Sequence, residues 1–291
     1  MSIKETSFIS DLAGKLVPKY PEPIISTKVE LQNFDVTINN LPSSFENFKI
    51  CHISDLHNID LFSEKPELLN KISEENPNIF IISGDSINNN LIDNSVKTIS
   101  LLESVSKPQN IFITTGNHEF IRDNYQEKNK LIDFSRKLLQ NNSGIIKFIR
   151  NDFREIKQGD DNIFIIGIDD PIGYKNEDGY LKNILDDLTS KIPSDKTKIL
   201  ISHRPEKIDL YSQYNIDLVF SGHAHGGQIE IPFIKRGLFA PNQGLFPKYT
   251  EGIQTRNKLT EIISPGLSNE FMVPRINNPG KIYFVTLHNS N

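Results

Sequence analysis

The sequence is poor in cysteine: among its 291 residues, only Cys51 carries a thiol. A single cysteine excludes an intramolecular disulfide and any zinc site built from cysteine thiolates. Cys51 lies in the apolar stretch at residues 48–51, where a free cysteine usually acts as a small buried hydrophobic side chain. We therefore expect Cys51 to be a small packing residue of the core.

The sequence also lacks an excess of basic residues. It has 32 Lys and Arg against 37 Asp and Glu, which gives a formal net charge of −5. Proteins that bind nucleic acids usually hold the phosphate backbone with clustered Lys and Arg. The charge balance therefore argues against a nucleic-acid partner, but a small phosphorylated substrate remains compatible with it.

Long apolar runs are absent as well. No stretch approaches the ~20 apolar residues that a membrane-spanning helix needs, and the N-terminus lacks the pattern of a signal peptide. We expect a cytoplasmic protein, or an exported one if the natural protein carries a leader besides this chain. Apolar residues at helical spacing in residues 8–17 predict a docking helix, with peripheral membrane contact as the alternative.

Three prolines mark a predicted linker after that helix: Pro18, Pro21 and Pro23. We therefore divide the chain into an N-terminal helix and linker at residues 1–27 and one main domain at residues 28–291.

Short apolar runs alternate with amphipathic stretches along the main domain. The predicted strands are residues 29–38, 50–54, 78–83, 110–114, 145–149, 163–168, 198–202 and 218–221, followed by hairpin-like stretches at 229–234, 259–264 and 281–286. The predicted helices are residues 66–75, 96–105 and 124–139. Such alternation indicates parallel strands buried on both faces. The sequence predicts an α/β fold in which two mixed β-sheets pack as a sandwich flanked by helices.

Polar residues stand where the predicted strands end. The residues in these positions are Asp55, Asp85, Asn117, His203, His223 and His225. In open α/β sheets, ligands bind beyond the carboxyl ends of the parallel strands. Consecutive strand ends should therefore bring these side chains to one edge.

Histidines are concentrated at the same positions. Five of the seven histidines belong to strand ends: His57, His118, His203, His223 and His225. One such histidine would ordinarily be structural, but five of them beside two aspartates and an asparagine indicate a metal site.

Gly84, Gly116 and Gly222 each precede a candidate ligand, where the backbone must turn sharply or approach closely.

The candidate ligands offer nitrogen and oxygen without thiolate. They are Asp55, His57, Asp85, Asn117, His203, His223 and His225. This set suits Mn, Fe or Zn and does not choose among them. Seven ligands suffice for two divalent ions if one carboxylate bridges. Two dications remain net positive beside two carboxylates and a hydroxide, which favours a phosphate group and its hydrolysis.

The order of these motifs resembles the calcineurin-like metallophosphoesterases over residues 48–286. The motifs are Asp55-Leu56-His57, Gly84-Asp85, Gly116-Asn117-His118-Glu119, Ser202-His203 and Gly222-His223-Ala224-His225. Residues 225–228, 240–249 and 264–267 look like the bacterial YkuE-type branch, which includes enzymes similar to UDP-diacylglucosamine pyrophosphatases.

The resemblance implies a metallo-dependent phosphatase fold and a role for each motif. One metal would be held by Asp55, His57 and His225, and the other by Asn117, His203 and His223. Asp85 would bridge them, and His118 would stabilise the transition state or protonate the leaving oxygen. Glu119 is expected to support the site rather than to act as a catalyst.

The implied reaction is hydrolysis by attack of a metal-bridging hydroxide on phosphorus. The substrate class stays open among a phosphomonoester, a phosphodiester and a pyrophosphate, including a nucleotide-linked lipid. The alternative is a catalytically silent metal-binding scaffold that engages protein partners. The complete set of ligands argues against that alternative.

One position departs from the family pattern. Many relatives have an aspartate three residues after the bridging carboxylate, where it orients the catalytic histidine, whereas this chain has Asn88. An amide can accept a hydrogen bond from His118 but stabilises its charged form less well, which predicts a working but slower site. Asp93 could take the place of the missing carboxylate.

Two arginines near the motifs, Arg122 and Arg204, could contact phosphate. Solvated surface arginines are the preferred interpretation for both, with Arg204 kept as a candidate substrate contact.

Apolar residues of the late loops could face a lipid or belong to the core, and the core is preferred. They are Phe239, Leu245, Phe246, Phe271 and Met272.

Overall fold

Two mixed β-sheets of six strands each form the centre of the computed structural model, and helices flank them, which confirms the predicted α/β sandwich. The structure describes residues 28–88, 92–105, 110–120, 130–140, 144–231, 236–269 and 274–290. The predicted helix and linker at residues 1–27 lie outside these ranges, as do Arg122, Phe271 and Met272.

The strands of the first half include the central parallel strands of one sheet. They are β1 (Val29–Ile38), β2 (Phe48–Ile53), β3 (Ile79–Ile82), β4 (Asn110–Ile113), β5 (Ile146–Phe148), β6 (Asp152–Gln158) and β7 (Asp161–Gly167). The strands of the second half are β8 (Lys198–Ile201), β9 (Leu218–Ser221), β10 (Glu230–Ile231), β11 (Arg236–Gly237), β12 (Phe239–Ala240), β13 (Gly244–Leu245), β14 (Gly252–Arg256), β15 (Leu259–Ile263) and β16 (Gly280–Asn289).

Helices lie on the outer face of each sheet. Those in the described ranges are α1 (Leu61–Glu64), α2 (Glu67–Glu75), α3 (Ile92–Val105), α4 (Lys130–Gln140), α5 (Glu177–Ser190) and α6 (Ile208–Tyr211). None of these helices is both long and apolar enough to cross a bilayer.

Both sheets combine parallel and antiparallel pairs. The strand order is β1-β16-β2-β3-β4-β5 in the first sheet and β14-β15-β9-β8-β7-β6 in the second. Strands β2 to β5 run parallel to one another, as do β15, β9, β8 and β7. The carboxyl ends of the parallel strands in each sheet therefore open onto one edge, which is where the predicted ligands follow.

Among the described residues, three apolar clusters hold these layers together. Side chains from both sheets, such as Ile79, Phe112, Ile201 and Phe220, fill the space between them. A second cluster packs the first sheet against α1 to α4, and a third packs the second sheet against α5 and α6. Strands buried on both faces need apolar residues at every position, which is why they appear in the sequence as continuous apolar runs.

Several described elements are absent from the sequence prediction, and the longest of them are α5 and β6. Strand β6 is rich in charged residues, and only Ile156 within it is fully buried, because it lies at the edge of its sheet. Helix α5 buries Leu181, Leu185 and Leu188 at helical spacing, and the Asn176 side chain accepts a hydrogen bond from Gly179 N at its start. The helical signal of α5 was therefore present in the sequence.

Candidate metal centre

The predicted metal ligands converge at the carboxyl ends of five strands. They lie in the loops after β2 (Asp55, His57), β3 (Asp85), β4 (Asn117), β8 (His203) and β9 (His223, His225), and all seven are buried. The two sheets contribute to the site from opposite sides, since β2, β3 and β4 belong to one sheet and β8 and β9 to the other.

The side-chain ligand atoms form compact groups that could each hold a metal ion. The groups are Asp55–His57–His225, His57–Asp85–His118 and Asp85–His203–His223, and the ligand atoms within each group lie within 4.8 Å of one another. Asp85 belongs to two of these groups. Its Oδ2 lies 3.2 Å from Nε2 of His203 and 3.7 Å from Nε2 of His57. Ligands that share one ion through bonds of about 2.0–2.2 Å lie at similar separations.

Several buried polar atoms of the site have no hydrogen-bond partner among the described residues. Examples are Asp55 Oδ1 and Asn117 Oδ1. An unsatisfied buried polar group costs about 1–3 kcal/mol, and more when it is charged. Native structures rarely contain such groups unless an ion or another partner satisfies them. Coordination of a metal ion would satisfy these atoms.

The protonation preferences of the histidines fit the same interpretation. Burial lowers the pKa of His57 to about 3 and holds the pKa values of His223 and His225 well below the ordinary value. Neutral imidazoles keep a lone pair for a metal. Burial also acts to lower the pKa of His203, but Asp85 and Asp55 outweigh it and raise this pKa to about 10. The two buried carboxylates thus favour a cation beside them.

Five of the seven predicted ligands have a left-handed backbone. The φ angles are 51° for Asp55, 45° for His57, 50° for Asp85, 67° for His223 and 49° for His225. Such conformations are uncommon outside glycine and cost on the order of 1–3 kcal/mol each. They aim successive side chains into the site, and the surrounding hydrogen bonds must hold them there.

Close backbone approach explains the glycines that precede the ligands. A Cβ atom on Gly116 would lie 2.2 Å from Asp85 Oδ1, and one on Gly222 would lie 2.5 Å from Asp55 Oδ2. Gly84 has a φ of 100° and packs against the backbone of Gly116. Any side chain at these positions would displace a predicted ligand.

Glu119 ties two of the ligand loops together. Its buried carboxylate accepts hydrogen bonds from the backbone N–H groups of Asp85 and Gly116, at 3.1 and 2.7 Å, and from those of Ser86 and Ile87. Burial raises the pKa of Glu119 to about 7, with Asp85 acting in the same direction and the Gly116 N–H against it. With its carboxylate engaged by the backbone, Glu119 has the geometry of a support for the loops, and its role stays a prediction.

His118 is the partly exposed histidine of the site. Its side chain is 19% exposed, and its Nε2 lies 4.0 Å from Asp85 Oδ2. Its Nδ1 lies 2.8 Å from Oδ1 of Asn88. An amide oxygen only accepts, so Nδ1 carries the proton and Nε2 faces the ligand group. Asp93 does not replace Asn88, because its exposed carboxylate pairs with Lys137 at 2.5 Å.

Arg204 is buried rather than solvated, so the preferred interpretation of a surface arginine is wrong. It is 3% exposed, and its Nε and Nη2 donate to the two carboxylate oxygens of Asp170. Its Nη1 lies 3.2 Å from Nε2 of His223. A contact between Arg204 and substrate stays a prediction.

Some residues around the site escaped sequence reasoning. Asp170 follows the apolar strand β7, so the strand-end rule that found Asp55 would have found it too. Arg275 is buried beside the loop of His225, and its partners are backbone carbonyls, which leave no signal in a sequence.

Comparison with known proteins agrees with this geometry. The sequence profile of the family described as calcineurin-like phosphoesterase matches residues 48–227, which carry all seven predicted ligands. YkuE of Bacillus subtilis (strain 168), an uncharacterized metallophosphoesterase, is 26% identical over 278 residues, covering 94% of this chain and 89% of YkuE.

Two further relatives differ in how much of their length is matched. The UDP-2,3-diacylglucosamine pyrophosphatase LpxG of Chlamydia muridarum is 27% identical over 263 residues, covering 78% of this chain and 75% of LpxG. The uncharacterized metallophosphoesterase Cj0846 of Campylobacter jejuni is 31% identical over 207 residues, covering 70% of this chain. This match spans 50% of the length of Cj0846.

Proposed function

Because the chain belongs to the calcineurin-like phosphoesterase family, we propose that it hydrolyses a phosphate ester or pyrophosphate at a centre of two divalent metal ions. The observation that carries the proposal is the pair of buried groups Asp55–His57–His225 and Asp85–His203–His223, which meet where Oδ2 of Asp85 lies 3.7 Å from Nε2 of His57. Asp55, His57 and His225 would hold one ion, and Asn117, His203 and His223 the other. Asp85 would bridge, and the nitrogen and oxygen ligands suit Mn, Fe or Zn.

The reaction class follows from the charge and position of these groups. When bound by these residues, two divalent ions would supply hydroxide at neutral pH and would stabilise the charge on the oxygens around phosphorus. The protein's own contribution is to fix the ligands in a buried, preorganised arrangement, which phosphoryl transfer mainly requires. His118, the partly exposed histidine, is available to protonate the leaving oxygen.

Asn88 sets the orientation of that acid. Its Oδ1 accepts from His118 Nδ1, and its own backbone is fixed, since Asn88 N donates to Asn58 Oδ1 at 2.6 Å and Lys130 Nζ donates to Asn88 O at 2.8 Å. A carboxylate in the same place would also stabilise the protonated imidazole. The amide supplies the orientation without the charge.

We expect Asn88→Asp to raise kcat by about 3–10-fold, since an opposite charge within hydrogen-bond distance favours the charged imidazole. The basic limb of the pH–rate profile should move to higher pH. The measurement is kcat against pH with a chromogenic phosphodiester. Asn88→Ala serves as the control and should lower kcat because it removes the oriented acceptor. Equal rates for both variants and the wild type would contradict the assigned role.

We extend the proposal to the substrate class: a nucleotide-linked lipid whose apolar part lies against the β12–β13 hairpin. Leu245 and Phe246 at this hairpin are 47% and 53% exposed, so assigning these two to the core is wrong. The hairpin adjoins the site, because Leu238 N donates to Gly227 O and the Asn242 side chain interacts with His223. The relative LpxG is named for a diacylated, UDP-linked substrate, which supports this choice.

The test is a metal-dependent panel of a phosphomonoester, a phosphodiester and a UDP-linked lipid. We expect the double variant Leu245→Ser/Phe246→Ser to raise KM for the lipid about 10-fold or more, since each buried apolar side chain is worth about 1.5–3 kcal/mol. The KM for a soluble diester should not change. Ile132→Ser/Leu139→Ser is the matched control, because both side chains are similarly exposed, on α4. An unchanged KM for the lipid would contradict the substrate class, and no turnover of any substrate by the metal-loaded wild type would favour a silent scaffold.

A further inference from the structure

Arg275 is the largest fully buried side chain among the residues that the structure describes. It precedes β16 and is 1% exposed. Its guanidinium donates to three backbone carbonyls: Nε to Ser268 O at 2.7 Å, Nη2 to Pro265 O at 2.5 Å and Nη1 to His225 O at 3.4 Å. Within the described ranges no carboxylate lies at ion-pair distance from it. Because this buried cation donates to backbone carbonyls, its effect is to hold these carbonyls in fixed positions.

Two of these carbonyls belong to a turn that supports Asp55. In this turn, Leu267 N and Ser268 N donate to Asp55 O at 3.4 and 3.1 Å. Gly266 in the same turn has a φ of 73°, and a Cβ there would lie 2.6 Å from Asp55 Cβ. The turn therefore fits closely against the backbone of Asp55, and Arg275 holds it from the other side.

The third carbonyl belongs to His225 itself. It also accepts from Nδ2 of Asn278 at 2.6 Å, and the same Nδ2 lies 3.2 Å from Gln228 O. A Cβ on Gly226 would collide with the Asn278 side chain at 2.3 Å, so the loop and Asn278 are tightly packed. Two side chains of residues 274–279 thus fix the position of one ligand.

We propose that Arg275 is a positioning residue for one of the two metal positions: it joins the loop of His225 to the turn that supports Asp55. The inference rests on the proposed function, in which Asp55 and His225 hold the same ion. Their ligand atoms, Oδ1 and Nε2, are 3.6 Å apart, and both residues have the strained left-handed backbone that needs external restraint. The hydrogen bonds of Arg275 reach none of the ligands of the other position, Asn117, His203 and His223.

The effect should therefore be confined to one metal position. Lys in place of Arg275 keeps the charge but loses the planar fork that serves three carbonyls at once. We expect Arg275→Lys to weaken Mn²⁺ binding at one position about 10–100-fold, as the loss of residues that orient ligands typically does, and to leave the other unchanged. Asn278→Ala should act in the same direction, and kcat at subsaturating Mn²⁺ should fall in both variants.

The experiment is calorimetric titration of Mn²⁺ into the chelated full chain, with kcat measured alongside. Lys198→Met is the matched control: Lys198 is 1% exposed, and its Nζ donates to two carbonyls, Pro193 O and Lys196 O, at the opposite end of β8 from the site. This variant should lose stability but keep both Mn²⁺ affinities. Asn278→Ala decides the question if Arg275→Lys does not fold.

The titrations distinguish a failure of the proposed function from a failure of the positioning role. A wild-type chain that binds fewer than two Mn²⁺ contradicts the proposed function. If the wild type binds two, unchanged affinities in folded Arg275→Lys and Asn278→Ala overturn the positioning role. Equal weakening of both positions, accompanied by the same change in Lys198→Met, would also overturn it, since that result indicates a general structural effect.

Discussion

Replacing Asp85 with alanine is expected to lower kcat on the order of 10³-fold or more, since metal-ion catalysis contributes several kcal/mol of transition-state stabilisation. Oδ2 of Asp85 faces the imidazoles of His57 and His203, and Oδ1 accepts from the backbone N–H of His118 at 2.8 Å. The carboxylate belongs to two of the three candidate metal groups. Its loss therefore leaves both proposed metal positions short of a ligand.

The measurement is kcat on a chromogenic phosphodiester together with elemental analysis of metal per chain. Asp93→Ala is the control, because Asp93 is a surface carboxylate whose side chain is 78% exposed. We expect the control to keep wild-type metal content and kcat. An Asp85→Ala variant that kept two ions and more than about a tenth of the activity would contradict the bridging role, because a tenfold change corresponds to only 1.36 kcal/mol.

His118→Ala should lower kcat about 10²–10⁴-fold, the usual contribution of a positioned general acid, while metal content stays unchanged. The reason is that Asp55–His57–His225 and Asp85–His203–His223 form complete groups without His118. His118 also lies in a third group with His57 and Asp85. Metal analysis therefore separates an acid, whose loss leaves the ions bound, from a ligand, whose loss removes one.

Leaving-group dependence gives the second readout for His118. A nitrophenolate leaves without much help from an acid, whereas an alkoxide requires protonation. We expect the His118→Ala deficit to be larger for a diester with an alcohol leaving group than for bis(p-nitrophenyl) phosphate. An equal deficit for both substrates would contradict the acid role.

The fold was predictable where burial determines the pattern of the sequence. The bounds of β1 and β9 agree with the prediction, and β2, β3, β4 and β8 differ by at most two residues at either end. The inner strands are predicted well because a strand covered on both faces must be apolar throughout. The edge strand β1 is predicted instead from its alternation of apolar and polar residues. The edge strand β6 is exposed along one side and carries charges, so its sequence resembles a loop.

The positions of the candidate ligands were predictable because each lies within a few residues of the end of its strand. Asp55, Asp85 and His203 lie within three residues of a strand end, so locating the strands locates them. The environment of Arg204 was not predictable in this way. Its counterion Asp170 lies 34 residues earlier in the chain, and without that partner an arginine is expected at the surface.

Arg275 marks the limit of sequence reasoning at this site. It binds the carbonyl of His225 from 50 residues away, and a carbonyl is present in every residue. Only the folded structure shows that the turn at Asp55 and the loop of His225 accept hydrogen bonds from the same guanidinium. The contacts on which the proposed positioning role rests are thus visible in the structure alone.

Metal titration of the wild-type chain tests the central claim most directly. The chain is stripped with a chelator, Mn²⁺ is added in known amounts, and hydrolysis of bis(p-nitrophenyl) phosphate is followed against bound metal. We predict no turnover in the stripped chain, and activity that rises with Mn²⁺ and saturates at two ions per chain, because the groups Asp55–His57–His225 and Asp85–His203–His223 would each hold one ion. Full turnover in the presence of the chelator, or two bound ions without turnover, would contradict the claim.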